Sequence, residues 1–437
     1  MLSTVTYMIV DRDVQTNAKT AELVNPVTGK QAMFTGVFFD VRSNEELKLM
    51  QQMFIQKDFK IKNVKGVQIP FHYLPKYAKP ILDVLPNGCF TLSDLCMEVI
   101  YFGGIADEKK GFYFTSNLFP DEVKQKMHEI QDADSHVQKI ALHKQAWHEI
   151  TTDKKLLLKL ITNFVREQMR FRLDFISVPT PLIIDTAHLD FVEECYQMAL
   201  NTYNSPMLDI EKEQGRILAL YLNIHKNFLS KEANVEELLK TVKRLSPKAI
   251  IYKISDMDDI RSMPELIDGW VKLVRGLGQI SNEDGIPTMY ICTSVEGLIA
   301  MGYGTDCISQ PFYKTDNIER GFALKSDVMK KLWSESKGTL SAGKISLYDD
   351  KEMIKRLEFE TLLQHAPPPI PMPEIEPLTY DSVHSMTNSS FRNLAKRVLL
   401  FQRNMETEEI IIAIRKGEVR LMKGKFRKWM KTLELFP

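Results

Sequence analysis

Two short stretches place reactive side chains where a strand could deliver them: AIIYKIS, residues 249 to 255, and GTDCISQPF, residues 304 to 312. In the first, strict alternation sets Ile250, Tyr252 and Ile254 on one face and Ile251, Lys253 and Ser255 on the other. The apolar set suits a helix layer, so Lys253 points to the opposite side. An inward lysine can serve as a Schiff-base nucleophile, as a clamp for an anionic substrate, or as the partner of an inward carboxylate. In the second stretch, Gly302 and Gly304 permit a tight helix-to-strand turn, and Asp306, Cys307, Ser309 and Gln310 follow on a strand with little apolar content. A strand this polar is expected to face a functional cavity.

A third strand, ILALYLNIH, groups Ala219, Tyr221 and Asn223 on one face and ends at Asn223, whose amide can hydrogen-bond a planar ligand edge or cap the next loop. His225 follows in the loop. Asp185, just after PTPLII, can act as an acid or cap the helix that begins near Ala187, and Asp174 stands at the start of its strand.

These residues need a frame that brings strand ends together. From about residue 172 to 325, the apolar runs FISVPTPLII, RILALYLNI, AIIYKIS, PTMYICTS and DCISQPF alternate with helical patterns such as HLDFVEECYQMALN, NVEELLKTVKRL and MPELIDGWVKLVRGL. Strands joined by helix-length crossovers form a parallel sheet, which makes this an α/β chain. No glycine-rich nucleotide fingerprint marks an open doubly wound sheet. Upstream, MFTGVFFDV, MEVIYFGG and GFYFTS supply three further strands, enough for a (β/α)8 TIM-type barrel whose chemistry belongs at the C-terminal strand ends. The expected organisation is an N-terminal extension over 1–30, a barrel over 31–345 with a helical insertion at 120–168, a proline-rich linker at 365–377, and a basic helical tail at 378–437. In the linker, HAPPPIPMPEIEP, six prolines fall within eleven positions.

The order of VPTPLIIDTAHLDFVEECYQMAL, two strand–helix units, and PTMYICTSVEGLIAMGYGTDCISQPF resembles the second half of tRNA-guanine transglycosylase-type barrels. The Asp-Cys-apolar core of GTDCIS matches that family's nucleophile motif, one residue short in its spacing from Gly302. The resemblance implies that Asp306 attacks an anomeric carbon and displaces a purine base, with Asp174 or the better placed Asp185 as the second acid. In the alternative register Ser309 occupies the nucleophile's place. The family's cysteine and histidine zinc set has no counterpart here, nor does its glycine after ILALYLNI. The expected function is N-glycosyl or base-exchange transfer on nucleic acid or a nucleoside. A Schiff-base aldolase-type barrel using Lys253 and a non-catalytic nucleic-acid-binding or assembly module stand as alternatives.

Bulk features narrow the rest. The 437 residues are 44% hydrophobic and 26% charged, the composition of a globular chain. The opening MLSTVTYMIVDRDV lacks the pattern of a secretory signal, so a cytoplasmic location is expected. Five scattered cysteines and nine histidines show no zinc-site spacing, and neither metal nor cofactor is expected. Formal charge is zero, yet residues 388–437 hold twelve Lys or Arg against five Glu. Val419, Met422, Phe426, Trp429 and Leu433 form a helical stripe there, with Arg420, Lys423, Lys425, Arg427, Lys428 and Lys431 crowding the other face. That face would attract a polyanion such as nucleic acid, or acidic lipid.

Overall fold

The computed structural model describes residues 5–55, 63–102, 118–203, 215–255, 264–293, 295–310, 340–341, 344–345, 404 and 406–422. Three antiparallel strands open the chain: β1 (Thr6–Arg12), β2 (Lys19–Asn25) and β3 (Lys30–Met33), in the order β1-β2-β3. The barrel starts with β4 (Gly36–Asp40), then α1 (Asn44–Ile55), β5 (Val64–Pro70), α2 (Leu74–Leu82), β6 (Phe90–Asp94) and α3 (Val99–Phe102). Three longer helices follow: α4 (Asp121–Gln131), α5 (His136–Thr152) and α6 (Lys154–Arg170). The remainder alternates: β7 (Phe175–Ser177), the short β8 (Leu182–Ile183), α7 (His188–Tyr203), β9 (Ile217–His225), α8 (Glu232–Leu245), β10 (Ile250–Ser255), α9 (Ile267–Asp284), β11 (Thr288–Tyr290), α10 (Val295–Met301) and β12 (Cys307–Gln310).

Eight parallel strands run in the sheet order β6-β5-β4-β12-β11-β10-β9-β7, with β8 added beside β9. Read around the ring, this is the chain order, and β12 returns to pair with β4 from Cys307↔Gly36 to Gln310↔Phe39. The remaining junction, between β6 and β7, is bridged by side chains. The Asp174 carboxylate accepts from Thr91 N and Oγ1, both at 2.8 Å, and Ser177 Oγ donates to Ser93 O at 3.1 Å. The chain is therefore a nearly closed TIM-type barrel with helices between its strands.

The sequence patterns explain much of this. β9 and β10 are buried along their whole length, as strands between a helix layer and a filled interior must be. Asp153 caps α6 through Lys155 N and Leu156 N, and α9 stops at Gly285, whose φ is +62°. FISVPTPLII, read as one strand, is split into β7 and β8, because Pro179 and Pro181 cannot donate to a ladder.

One of the upstream expectations needs correction. MEVIYFGG contains the short helix α3, not a strand, and the second and third barrel strands are instead VKGVQIP and FTLSD. GFYFTS lies outside the described residues.

At the N-terminal end of the barrel an aromatic cluster fills the interior. Phe34 meets Phe38, Phe90 and Phe175 with ring centroids 6.1, 5.4 and 5.5 Å apart. Gly66 makes room for it, since a Cβ there would lie 2.4 Å from the Phe38 ring and 2.0 Å from Phe90 O.

Candidate active site

Alternation carries the inward face of each strand from the aromatic floor to a polar upper layer. On β4 the sequence Phe38, Asp40 faces inward, on β5 Gly66, Gln68, and on β6 Phe90, Leu92, Asp94. On β9 and β10 the same logic selects Tyr221 with Asn223, and Lys253 with Ser255. Contacts between strands that are not neighbours fix these directions. Tyr221 Oη donates to Asp94 Oδ1 at 2.7 Å, and Lys253 Nζ reaches Asp94 Oδ2 at 2.9 Å and Glu98 Oε1 at 2.5 Å. The upper interior of an ordinary barrel is packed with branched apolar side chains. Here it is a ring of carboxylates, amides and cations.

The ring is continuous. Asn223 Nδ2 donates to Glu98 Oε2 at 2.9 Å, and Ser255 Oγ donates to Asn223 Oδ1 at 2.5 Å. On the other side, Cys292 Sγ donates to Asp94 Oδ2 at 3.4 Å and accepts from Gln68 Nε2 at 3.5 Å and from an Arg42 guanidinium nitrogen at 3.6 Å. Arg42 Nε in turn donates to Asp40 Oδ2 at 2.5 Å. Cys96 and Cys292, which flank Asp94, both adopt left-handed backbone, with φ of +53° and +58°. Such strain in non-glycine residues clusters where function requires it.

The two strand-end acids have opposite acidities. Burial pushes the Asp94 carboxyl up, but the charges of Lys253 and Arg42 and hydrogen bonds from Tyr221 and Cys96 N outweigh it and hold the group well below the usual carboxylate range. Burial also raises Asp40, and there Arg42 compensates only in part, so this carboxyl titrates at about 7. Lys253 is pushed down by burial, but Asp94 and Glu98 carry it well above its ordinary value, so it is an ammonium ion. His72 is depressed to about 3, mainly by burial and then by Arg42.

Three polar atoms in this layer have no hydrogen-bond partner among the described residues: Asp40 Oδ1, Gln68 Oε1 and Ser309 Oγ. Their residues are all within 1% of complete burial. Asp40 and Gln68 are register partners on β4 and β5, and Ser309 pairs with Phe38 on the far side of β4. Buried polar atoms usually find partners, so this row of three on adjacent strands has hydrogen-bonding capacity that water or a ligand could take up. Asp94, Cys96 and Glu98 also bring their ligand atoms within 4.8 Å of one another, a set that could hold a metal ion. Lys253 already supplies the positive charge between the two carboxylates.

Among the residues expected from sequence, Lys253, Asn223 and Ser255 share this network, and Ser309 lies on the same layer. Gln310 ends β12 in register with Phe39. Asp306 is elsewhere. It precedes β12 at the N-terminal end of the barrel, where its Oδ1 accepts from Tyr7 Oη at 2.7 Å, its Oδ2 accepts from Thr288 N at 2.8 Å, and Lys19 Nζ lies 3.6 Å away. It therefore shares no cavity with Lys253 and Asn223. Asp185 caps the start of α7, accepting from Ala187 N at 3.0 Å and pairing with His188 Nδ1 at 2.8 Å, a bond that draws its carboxyl down to about 2. His225 likewise caps a turn, accepting from Asn227 N at 3.3 Å.

In the tail, Gly417, with φ +67°, ends the helix spanning residues 406–416, and Val419–Met422 is a separate 3-10 turn with Val419 buried and Arg420 exposed. Val419 and Met422, the first two members of the expected stripe, fall in this turn, and Phe426, Trp429 and Leu433 lie outside the described residues. Lys423, Lys425, Arg427, Lys428 and Lys431 lie outside the described residues.

Asp40, Arg42, Gln68, Asp94, Glu98 and Cys292 were not singled out from sequence. The available signal was an acid closing an apolar strand run, as in GVFFD and FTLSD. No helix among the described residues is long and apolar enough to cross a membrane. No protein-family model matches the chain, and no curated protein sequence does.

Proposed function

We propose that the protein cleaves or exchanges an N-glycosidic bond at the C-terminal mouth of the barrel, on a nucleoside or a nucleotide unit of nucleic acid. The observation that carries this reading is the unpartnered row of Asp40 Oδ1, Gln68 Oε1 and Ser309 Oγ beside the ionised Asp94–Lys253–Glu98 cluster. All three are oxygens: Gln68 Oε1 and Ser309 Oγ are suited to accept from the N–H or O–H groups of a base edge or sugar, and a protonated Asp40 to donate.

Charge balance gives the step. With Asp40 protonated, Asp94 and Glu98 offset Lys253 and Arg42. As the C–N bond breaks, Asp40 passes its proton to the departing base, and the cluster gains one negative charge while the sugar gains a positive one. Asp94, held ionised, is the fixed counter-charge for that cation. Water or an incoming base then adds to the anomeric carbon and returns a proton to Asp40. The covalent step through Asp306 implied by the transglycosylase resemblance is not carried over, because Asp306 sits at the other end of the barrel.

The test is release of free base, or exchange with labelled base, from nucleosides and oligonucleotides. Asp40→Asn and Asp94→Asn should each lower turnover about 10²-fold or more. Borohydride trapping of a substrate adduct on Lys253 would instead establish the Schiff-base reaction. Nucleic-acid binding without turnover, unchanged in Asp94→Asn, would mark a non-catalytic module.

A further inference from the structure

Between the helical insertion and the barrel, Trp147, His143, His188 and Asp185 form a chain of hydrogen bonds. Trp147 and His143 are on α5, His188 opens α7, and Asp185 precedes it. The indole and both imidazoles are completely buried, whereas Asp185 reaches the surface, where Lys144 Nζ lies 3.9 Å from its carboxylate. Trp147 Nε1 is 3.2 Å from His143 Nε2, His143 Nδ1 is 3.2 Å from His188 Nε2, and His188 Nδ1 is 2.8 Å from Asp185 Oδ1.

The two ends of the chain fix where its protons are. An indole N–H only donates, and an ionised carboxylate only accepts. Asp185, drawn down to about 2 chiefly by the His188 bond, is ionised at neutral pH. His188 Nδ1 therefore carries a hydrogen for Asp185, and the longer contact from Asp185 N, at 3.4 Å, yields to that bond. It follows that His188 Nε2 is bare and accepts from His143 Nδ1, and that His143 Nε2 is bare and accepts from Trp147. Both rings are neutral, with one hydrogen in each bond. A further proton on either ring would set two N–H groups against each other, between the rings or against the indole.

We infer that this chain is an acid-sensitive latch: while neutral it fastens α5 to α7, and uptake of a proton by His143 or His188 undoes one of its bonds and loosens α5. The neighbouring groups set the balance. Burial, then His188, holds His143 well below the ordinary histidine value of 6.5, with Asp185 acting against them and His225 with them. From α3, Tyr101 meets His143 edge-on with centroids 5.3 Å apart, places its Oη 3.0 Å from His136 Nδ1, and lies 6.2 Å from the His225 ring. His148 faces Phe191. Loosening α5 lets the buried rings take protons at their ordinary value, so the docked form is fully favoured above about pH 6.5 and loses ground as pH falls below it. Tyr101 stands three residues after Glu98, so the latch adjoins the segment that carries Glu98 to Lys253.

The full chain is followed from about pH 7.5 to about pH 5.5 by amide hydrogen exchange across α5, corrected for the intrinsic rate and referred to α6, and by tryptophan emission. Protection of α5 should fall about tenfold over that interval, as one proton taken up below pH 6.5 requires. The emission belonging to Trp147, taken as the parent's less that of Trp147→Phe, should weaken or move to longer wavelength. His143→Gln keeps a donor and an acceptor but takes no proton, so its α5 protection should stay level. Trp147→Phe removes the N–H that opposes a proton on His143 Nε2, and it should shrink the fall. Protection of α5 that stays level in the parent, a reading that needs no variant to fold, would overturn the latch. So would the parent's full fall in either folded variant.

Discussion

The barrel buries an acid–lysine pair at each end, and the two pairs differ in what surrounds them. At the N-terminal end, Asp306 faces Lys19, with Tyr7 and Thr288 completing its hydrogen bonds, and Lys19 also donates to Ser281. At the C-terminal end, Lys253 lies between two carboxylates, and oxygens on β4, β5 and β12 without a partner among the described residues adjoin the cluster. The first arrangement consumes its own polarity, joining the N-terminal sheet to the barrel. The second leaves polarity over. Burial and charge alone therefore do not identify a reactive centre, whereas buried hydrogen-bonding capacity without a partner is the sharper indicator.

Removing one partner at the N-terminal end should produce the largest change in stability. Lys19→Met leaves Asp306 buried without its cation and should cost about 3–5 kcal/mol in denaturant unfolding. Replacing the group together, as Lys19→Met with Asp306→Leu and Tyr7→Phe, should recover most of that loss and leave turnover intact. Turnover lost along with the pair, in a folded triple variant, would erase the distinction between the ends.

At the mouth, Lys253→Met should reduce turnover about 10²–10³-fold, because the counter-charge arrangement around Asp94 collapses. Next in size is Gly66→Ala, which forces the Phe38 ring and the β6 backbone apart and should cost about 1–3 kcal/mol. Its effect on turnover would test whether the aromatic floor sets the spacing of Asp40 and Gln68 above it.

The sequence made the barrel readable because β9, β10 and β12 combine apolar runs with helix-length crossovers, so strand direction and layer follow from elementary geometry. It also placed Lys253 inward, since Tyr252 and Ile254 claim the helix side. What it hid follows from physics too. MEVIYFGG is rich in β-formers, yet FTLSD takes the sheet position just before it, and Val99–Phe102 turns helical: tertiary context overrode local preference. Asp94 and Glu98 find Lys253 only when the barrel closes, across strands separated by more than 150 residues. Asp306 carries the opposite lesson. A motif-like neighbourhood does not reveal which end of its strand an acid occupies, and one position before β12 puts it at the N-terminal rim.

The smallest effect tests the mouth from its own chemistry. Asp40 titrates at about 7 in the folded chain, above the ordinary aspartate value of 3.8 that applies when unfolded. Between those two values the folded state binds the extra proton, so this group's contribution to stability is fully present at pH below about 4 and declines as pH rises towards 7. The decline is at most about 1.4 kcal/mol per pH unit. Asp40→Asn should remove that slope in stability measured from pH 4 to 7, and in turnover it should remove the loss of rate above pH 7 that a general acid imposes. A slope unchanged in Asp40→Asn would mean that Arg42 already holds the carboxyl ionised, and the acid for base departure would have to come from elsewhere in the ring.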